Sequence, residues 1–302
     1  LEQQQSVAWS DVRDVRGANV PKETAKWLAA GDALWRGRMR VARGDWIFAL
    51  DPMQRAFRAW DGAAPSADGL TASAVCAEAL RRSGRAEESL RASFEAIRIA
   101  RAGIAPRESA DARIQDAESR AIDARMPVPP ALAPGAFDAP AAIRARAVLA
   151  NFDARGDAGL AAVVAAYAAA LDVSAGAANT GVQAGAGDQP AAAATGAAEA
   201  PATPTSNAKI DSAAKSTTTA LEAMRDARSE DPKRRAAALA TLARVRRSLP
   251  IWFEPWARFV TGAALASDTD QTVHDRGLVL LSSLIACDSV SQPLLAARAA
   301  VL

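Results

Sequence analysis

One histidine, one tyrosine, two cysteines and 5% aromatic residues leave this 302-residue chain short of the side chains from which most catalytic and metal centres are built. A single imidazole, His274, cannot form a multi-histidine metal site. Cys76 and Cys287 stand in no spacing that holds zinc or makes a redox pair, so both read as small buried hydrophobes. No stretch reaches the roughly 18 apolar residues of a membrane span; the nearest, Gly159 to Leu171, is short and mostly alanine. An excess of charge of one sign is missing too. With 36 basic residues against 34 acidic ones the formal charge is +2, which argues against a nucleic-acid footprint. Lysine is confined to Lys22, Lys26, Lys209, Lys215 and Lys233, an arginine bias that reads as GC-rich coding rather than chemistry.

What the chain has in abundance is alanine, 79 residues of it, which favours helix and close helix–helix approach. An all-α fold follows. From Val173 to about Thr217 the residues become Ala, Gly, Thr, Ser and Pro, too poor in large apolar groups to offset their ordering entropy. This predicts a disordered linker over 173–217. It divides a helical lobe over 21–172 from a C-terminal helical lobe over 218–302, behind a tail over 1–20. The proline cluster from Met126 to Pro140 predicts a second interruption. Before it, Ile114, Ala117, Ala121 and Ile122 make a narrow stripe on a charged helix over 107–125. Asp231-Pro232 is a helix start running to about Ser248, followed by helices over 256–266, 272–286 and 292–301. Gln5 to Trp9 alternates in strand fashion, which suggests the end of a small β domain lying upstream or a frayed tail. The chain opens on Leu1 rather than methionine. That points to a removed signal peptide, propeptide or preceding domain, and favours export over a cytoplasmic location.

Three times a helical stretch breaks at a glycine and restarts on small residues at fixed offsets. Gly37 lies seven before Gly44, with Trp46, Ala49, Met53 and Ala56 after it. Ala77 precedes Gly84, followed by Ala86, Ser89, Ser93 and Ala96; Leu149 precedes Gly156, followed by Ala158, Ala161, Ala165 and Ala168. In this pattern the chain resembles the tetratricopeptide repeat family, helical hairpins of about 34 residues. Gly44 and Gly84 are spaced more widely than that, so Asp61 to Gly69 reads as an insertion. Asp51-Pro52 is itself a helix-start pattern and predicts a kink or restart within the first copy. The resemblance implies stacked hairpins forming an α-solenoid that binds a protein or peptide, with no catalytic residue and no cofactor.

The remaining motifs weigh little. Arg43-Gly44-Asp45 and Arg155-Gly156-Asp157 match an adhesion tripeptide, but a hairpin turn explains both, with glycine for positive φ and aspartate as the next helix cap. Ser212 and Lys215 stand in a Ser-x-x-Lys pattern without its partner motifs, and Gly181 to Gly187 lacks the lysine of a phosphate loop. His274 sits near Asp268, Asp270 and Asp275, best read as a helix-capping loop. Trp252, Phe253, Trp256 and Phe259 read as a core anchor. Two basic regions remain: Arg36, Arg40 and Arg43 at i, i+4 and i+7, and the group Arg234, Arg235, Arg244, Arg246 and Arg247. The first, beside Trp35 and Trp46, is the candidate site for an acidic partner. The sequence thus predicts a non-enzymatic scaffold for protein–protein interaction, the alternative being an accessory or sensory domain of a larger exported protein.

Overall fold

The computed structural model describes residues 7–16, 20–106, 111–122, 139–176, 204–246, 254–288, 296–297 and 299–302. Among them are eleven α-helices and no strand, so the fold is all-α. The first two hairpins pair α1 (Thr24–Ala42) with α2 (Trp46–Trp60) and α3 (Ala67–Arg82) with α4 (Ala86–Arg101). Next come α5 (Ala112–Ile122), the pair α6 (Ala139–Ala150) and α7 (Ala158–Gly176), then α8 (Pro204–Asp226) and α9 (Pro232–Val245). The last two are α10 (Glu254–Ala266) and α11 (Gln271–Asp288). Packing follows chain order: α2 touches α3, α5 lies against both α3 and α4, α4 meets α6, α7 meets α8, and α10 meets α11.

Gly44 and Gly84 end α1 and α3 in the same way. Each has positive φ, 80° and 75°. The amide of Gly44 donates to Val41 and that of Asp45 to Arg40, while Gly84 donates to Arg81 and Arg85 to Leu80. This is the Schellman closure, in which a left-handed residue turns the chain back onto orphaned helix carbonyls. Side chains then lock the first hairpin. A β-carbon on Gly37 would lie 2.7 Å from the Met53 terminal methyl, so the missing side chain is what lets α1 and α2 close. Trp46, Ala49, Met53 and Ala56 are all buried, as are Ala77, Ala86, Ser89, Ser93 and Ala96 of the second pair. The third pair differs. Ala158, Ala161 and Ala165 are exposed, and the buried face of α7 is Leu160, Val163, Val164, Tyr167 and Leu171. The glycine register found the turn there but missed the core face.

Several sequence expectations need correction. Helix α2 neither stops nor restarts at Asp51-Pro52; it runs through Pro52, and Asp51 pairs with Arg55 instead of capping. The segment before α1 is not a strand at 7–9: Trp9–Asp11 forms one 3-10 turn, anchored where the Trp9 amide donates to the Asp68 carboxylate at 2.8 Å. Its carbonyl sits 2.1 Å from where a Gly31 β-carbon would be, and Trp9 stacks on Trp27, which meets Trp60. Cys76 is buried, but Cys287 is exposed and so is no core residue. The loop read as an insertion is clamped to α4: Glu95 accepts from the Gly62 amide, Arg98 donates to the Ala63 carbonyl, and the two side chains pair at 2.6 Å while buried.

The expected linker over 173–217 is helical at both ends, since α7 reaches Gly176 and α8 starts at Pro204; residues 177–203 lie outside the described ones. Across it, one core joins Phe94, Leu160 and Tyr167 to Leu221, Met224, Trp256 and Phe259. Each large side chain so buried contributes about 1.5–3 kcal/mol, a sum that binds the flanking segments to one another. A second core fills the first two hairpins, from Leu34 and Met53 to Leu70 and Ile99, and takes in Ile114 and Ala117 of α5. Asp231 caps α9 as expected, accepting from the Lys233 amide at 2.9 Å. Most of the Met126–Pro140 segment, Trp252, Phe253, Arg247 and Gly181–Gly187 lie outside the described residues.

Candidate partner-binding groove

Helices α1 and α2 leave a groove of about 910 Å³ between their outward faces. Arg36, Arg40 and Arg43 line it, so the structure brings the three sequence-chosen arginines to one surface. They do not stand alone. Lys26 joins them from α1 and Arg55 and Arg58 from α2, against two carboxylates, Asp32 and Asp51. The floor is apolar: Ala33 and Met39 on one side, Phe48 and Pro52 on the other. Phe48 is 69% exposed and Met39 41%.

The cations differ in how far they are engaged. Arg36 pairs with Asp32 at 2.9 Å one turn back, Arg55 with Asp51, and Arg40 approaches Asp45 at 3.8 Å while lying over the Phe48 ring. These pairs are exposed and cost little to exchange for a ligand carboxylate. Arg43 and Arg58 make no ion pair among the described residues. In the second basic region Arg234 pairs with Asp226, Arg235 with Asp268, and Arg246 approaches Glu254, at 2.8, 3.4 and 3.8 Å, while Asp226 and Glu254 also serve Arg225 and Arg258. The Asp226 carboxyl, though raised by burial, is held below the ordinary aspartate range by Arg234 and Arg225.

The other sequence motifs fall away from this surface. Asp270 caps α11 through the amides of Thr272 and Val273, and the His274 ring reaches its neighbour Asp275 at 3.4 Å. No cluster of three metal-ligating side chains occurs among the described residues. Ser212 and Lys215 lie inside α8. Asp157 spends its carboxylate on Arg101 and on the Leu160 amide, so the second adhesion-like tripeptide is closed. Glu118 of α5 is buried and accepts from the Thr71 hydroxyl of α3; burial pushes its carboxyl up, against the weaker pull of Thr71 and Arg38. That contact ties α5 to α3 rather than forming a site. No helix among the described residues is long and apolar enough to cross a membrane.

Sequence reasoning missed Arg55, Arg58, Met39 and Phe48. A signal was there in Trp46-Ile47-Phe48: in a helix whose core positions are Trp46, Ala49, Met53 and Ala56, only the first of three consecutive large residues can face inward. The other two must be surface, and both are. Comparison with protein-family models, with curated proteins and with solved structures found no match.

Proposed function

We propose that this chain is a non-enzymatic helical-repeat scaffold, tetratricopeptide-like in its first two hairpins, that holds a protein partner through the partner's carboxylates. The observation that carries the reading is the α1–α2 groove itself, which gathers six cations and two carboxylates around an apolar lining. Guanidinium groups so placed suit bidentate pairing with carboxylates. The repeat likeness is supported by the paired closures at Gly44 and Gly84 and by Gly37 nested on Met53.

The test compares proteins captured from source extract by the wild type, by Arg36→Glu/Arg40→Glu/Arg43→Glu, and by Arg234→Glu, after circular dichroism shows all three folded. The triple variant is expected to lose partners that the wild type holds at low salt and releases at high salt, and Arg234→Glu to keep them. An unchanged set of partners in the triple variant removes the stripe as a site.

A further inference from the structure

We propose, resting on the acidic-partner reading above, that the groove between α1 and α2 seats an amphipathic acidic helix of a partner protein. The lining of α1 recurs at helical spacing through Ala33, Arg36, Arg40 and Arg43 and begins at Lys26, a span of about 25 Å at 1.5 Å per residue. Across it, Phe48, Pro52, Arg55 and Ala59 form the matching row on α2. Two parallel ridges at i, i+3 and i+4 spacing are the surface into which a third helix packs.

The chain itself supplies the precedent. Helix α5 lies against α3 and α4 and also touches α1, burying Ile114 and Ala117 in the core that the first two hairpins share. On the first hairpin no helix among the described residues covers the α1–α2 groove, and Met39 and Phe48 are exposed. Charge selects the occupant. Apolar and cationic residues share the lining, with Arg36, Arg40 and Arg43 on the α1 bank, Arg55 and Arg58 on the α2 bank, and Asp32 and Asp51 paired to Arg36 and Arg55. A helix with an apolar stripe flanked on both sides by Glu or Asp satisfies floor and banks together. A basic helix meets repulsion on both.

The probe is a fluorescein-labelled synthetic peptide as long as the groove, with Leu and Phe at i, i+3, i+4 and i+7 and Glu on both flanks. It is titrated by anisotropy into the full chain. Two companions share its design, one with two central prolines and one with Lys for Glu. The Glu peptide is expected to bind, about a hundredfold more tightly than the proline peptide, which cannot be helical. Arg43→Glu/Arg58→Glu is expected to weaken it about tenfold and to flatten its salt dependence. Phe48→Asp is expected to weaken it about tenfold as well. All of these positions are exposed, and thermal melts check folding. Equal binding of the Glu and proline peptides overturns the helix and leaves an acidic, extended partner standing. Failure of both acidic peptides at low salt overturns the helix and the acidic-partner reading together. Equal binding of the Lys peptide overturns the charge argument.

Discussion

The tripeptide Arg-Gly-Asp occurs at 43–45 and again at 155–157, and the two copies fold differently. In the first, Arg43 keeps helical φ, −88°, and only Gly44 is left-handed, closing α1. In the second, α6 has already ended at Ala150, and Arg155 and Gly156 are both left-handed, with φ of 49° and 83°. The Asp157 amide donates to the Ala154 carbonyl across them, a two-residue turn of the primed kind. The aspartates part company as well. Asp45 makes no cap and only a long contact to Arg40, whereas Asp157 caps α7 through Leu160 and binds Arg101 through both oxygens, at 2.5 and 2.7 Å. Three identical residues therefore take their roles from what stands nearby, here the nearly buried Arg101 of α4.

The sharpest way to break that comparison is Asp157→Ala, expected to cost about 2–3 kcal/mol by urea denaturation at neutral pH, because it strands Arg101 and uncaps α7. The loss has a pH signature. Burial raises the Asp157 carboxyl, but the hydrogen bonds from Arg101 and the Leu160 amide outweigh it and hold the folded value below the ordinary 3.8. A carboxylate lowered on folding adds stability above its unfolded pKa, and that stability drains away as pH falls through the folded one. The gap between wild type and variant should therefore be full at neutral pH and shrink below about pH 3.8. A constant gap down to pH 2 would mean the pair is not what the variant lost.

Next in size are Gly44→Val and Gly156→Val. Outside the chain neighbours no heavy atom lies within 4 Å of either added β-carbon, so the main cost expected of each substitution is the left-handed backbone conformation. Calorimetry should find about 1–2 kcal/mol at both, equal within error. A much larger loss at one would point to a contact there that the free space denies. Smaller still, and opposite in sign, are the paired arginine substitutions. Arg155→Gly relieves a left-handed arginine and should gain up to about 1 kcal/mol, while Arg43→Gly loosens a helical end and should lose about 0.5 kcal/mol. Two losses would refute the difference in turn type. Asp45→Ala should change stability by less than about 0.5 kcal/mol, as an exposed and distant pair does.

How legible was all this? Helices, turn glycines and the Asp231 cap were readable because each depends on local chemistry: alanine content, the freedom of a missing β-carbon, a carboxylate facing bare amides. The register of α7 was not. In a helix apolar on nearly every side, Ala161 and Ala165 look as fit for the core as Leu160 and Val163, and only the partners Phe94 and Leu221 decide. The core shared across 177–203 was hidden for the same reason, since composition describes a segment and not what its neighbours bury together. At the candidate site, spacing alone gathered Arg36, Arg40 and Arg43. Arg55 and Arg58 came into view only once α2 was folded back beside α1, because sequence distance conceals what a hairpin makes adjacent.

Cys76 gives the first core a built-in clock. Its thiol is buried on α3, and burial pushes its pKa up to about 12, so a neutral solution holds almost none of the thiolate that alkylating reagents attack. Cys287, exposed on α11, is expected to label first and so to mark the zero of time. The slow second label then counts how often Leu70, Val75 and Leu80 part company with their neighbours, so a mass spectrometer can read the opening rate of one region while the rest of the molecule stays folded.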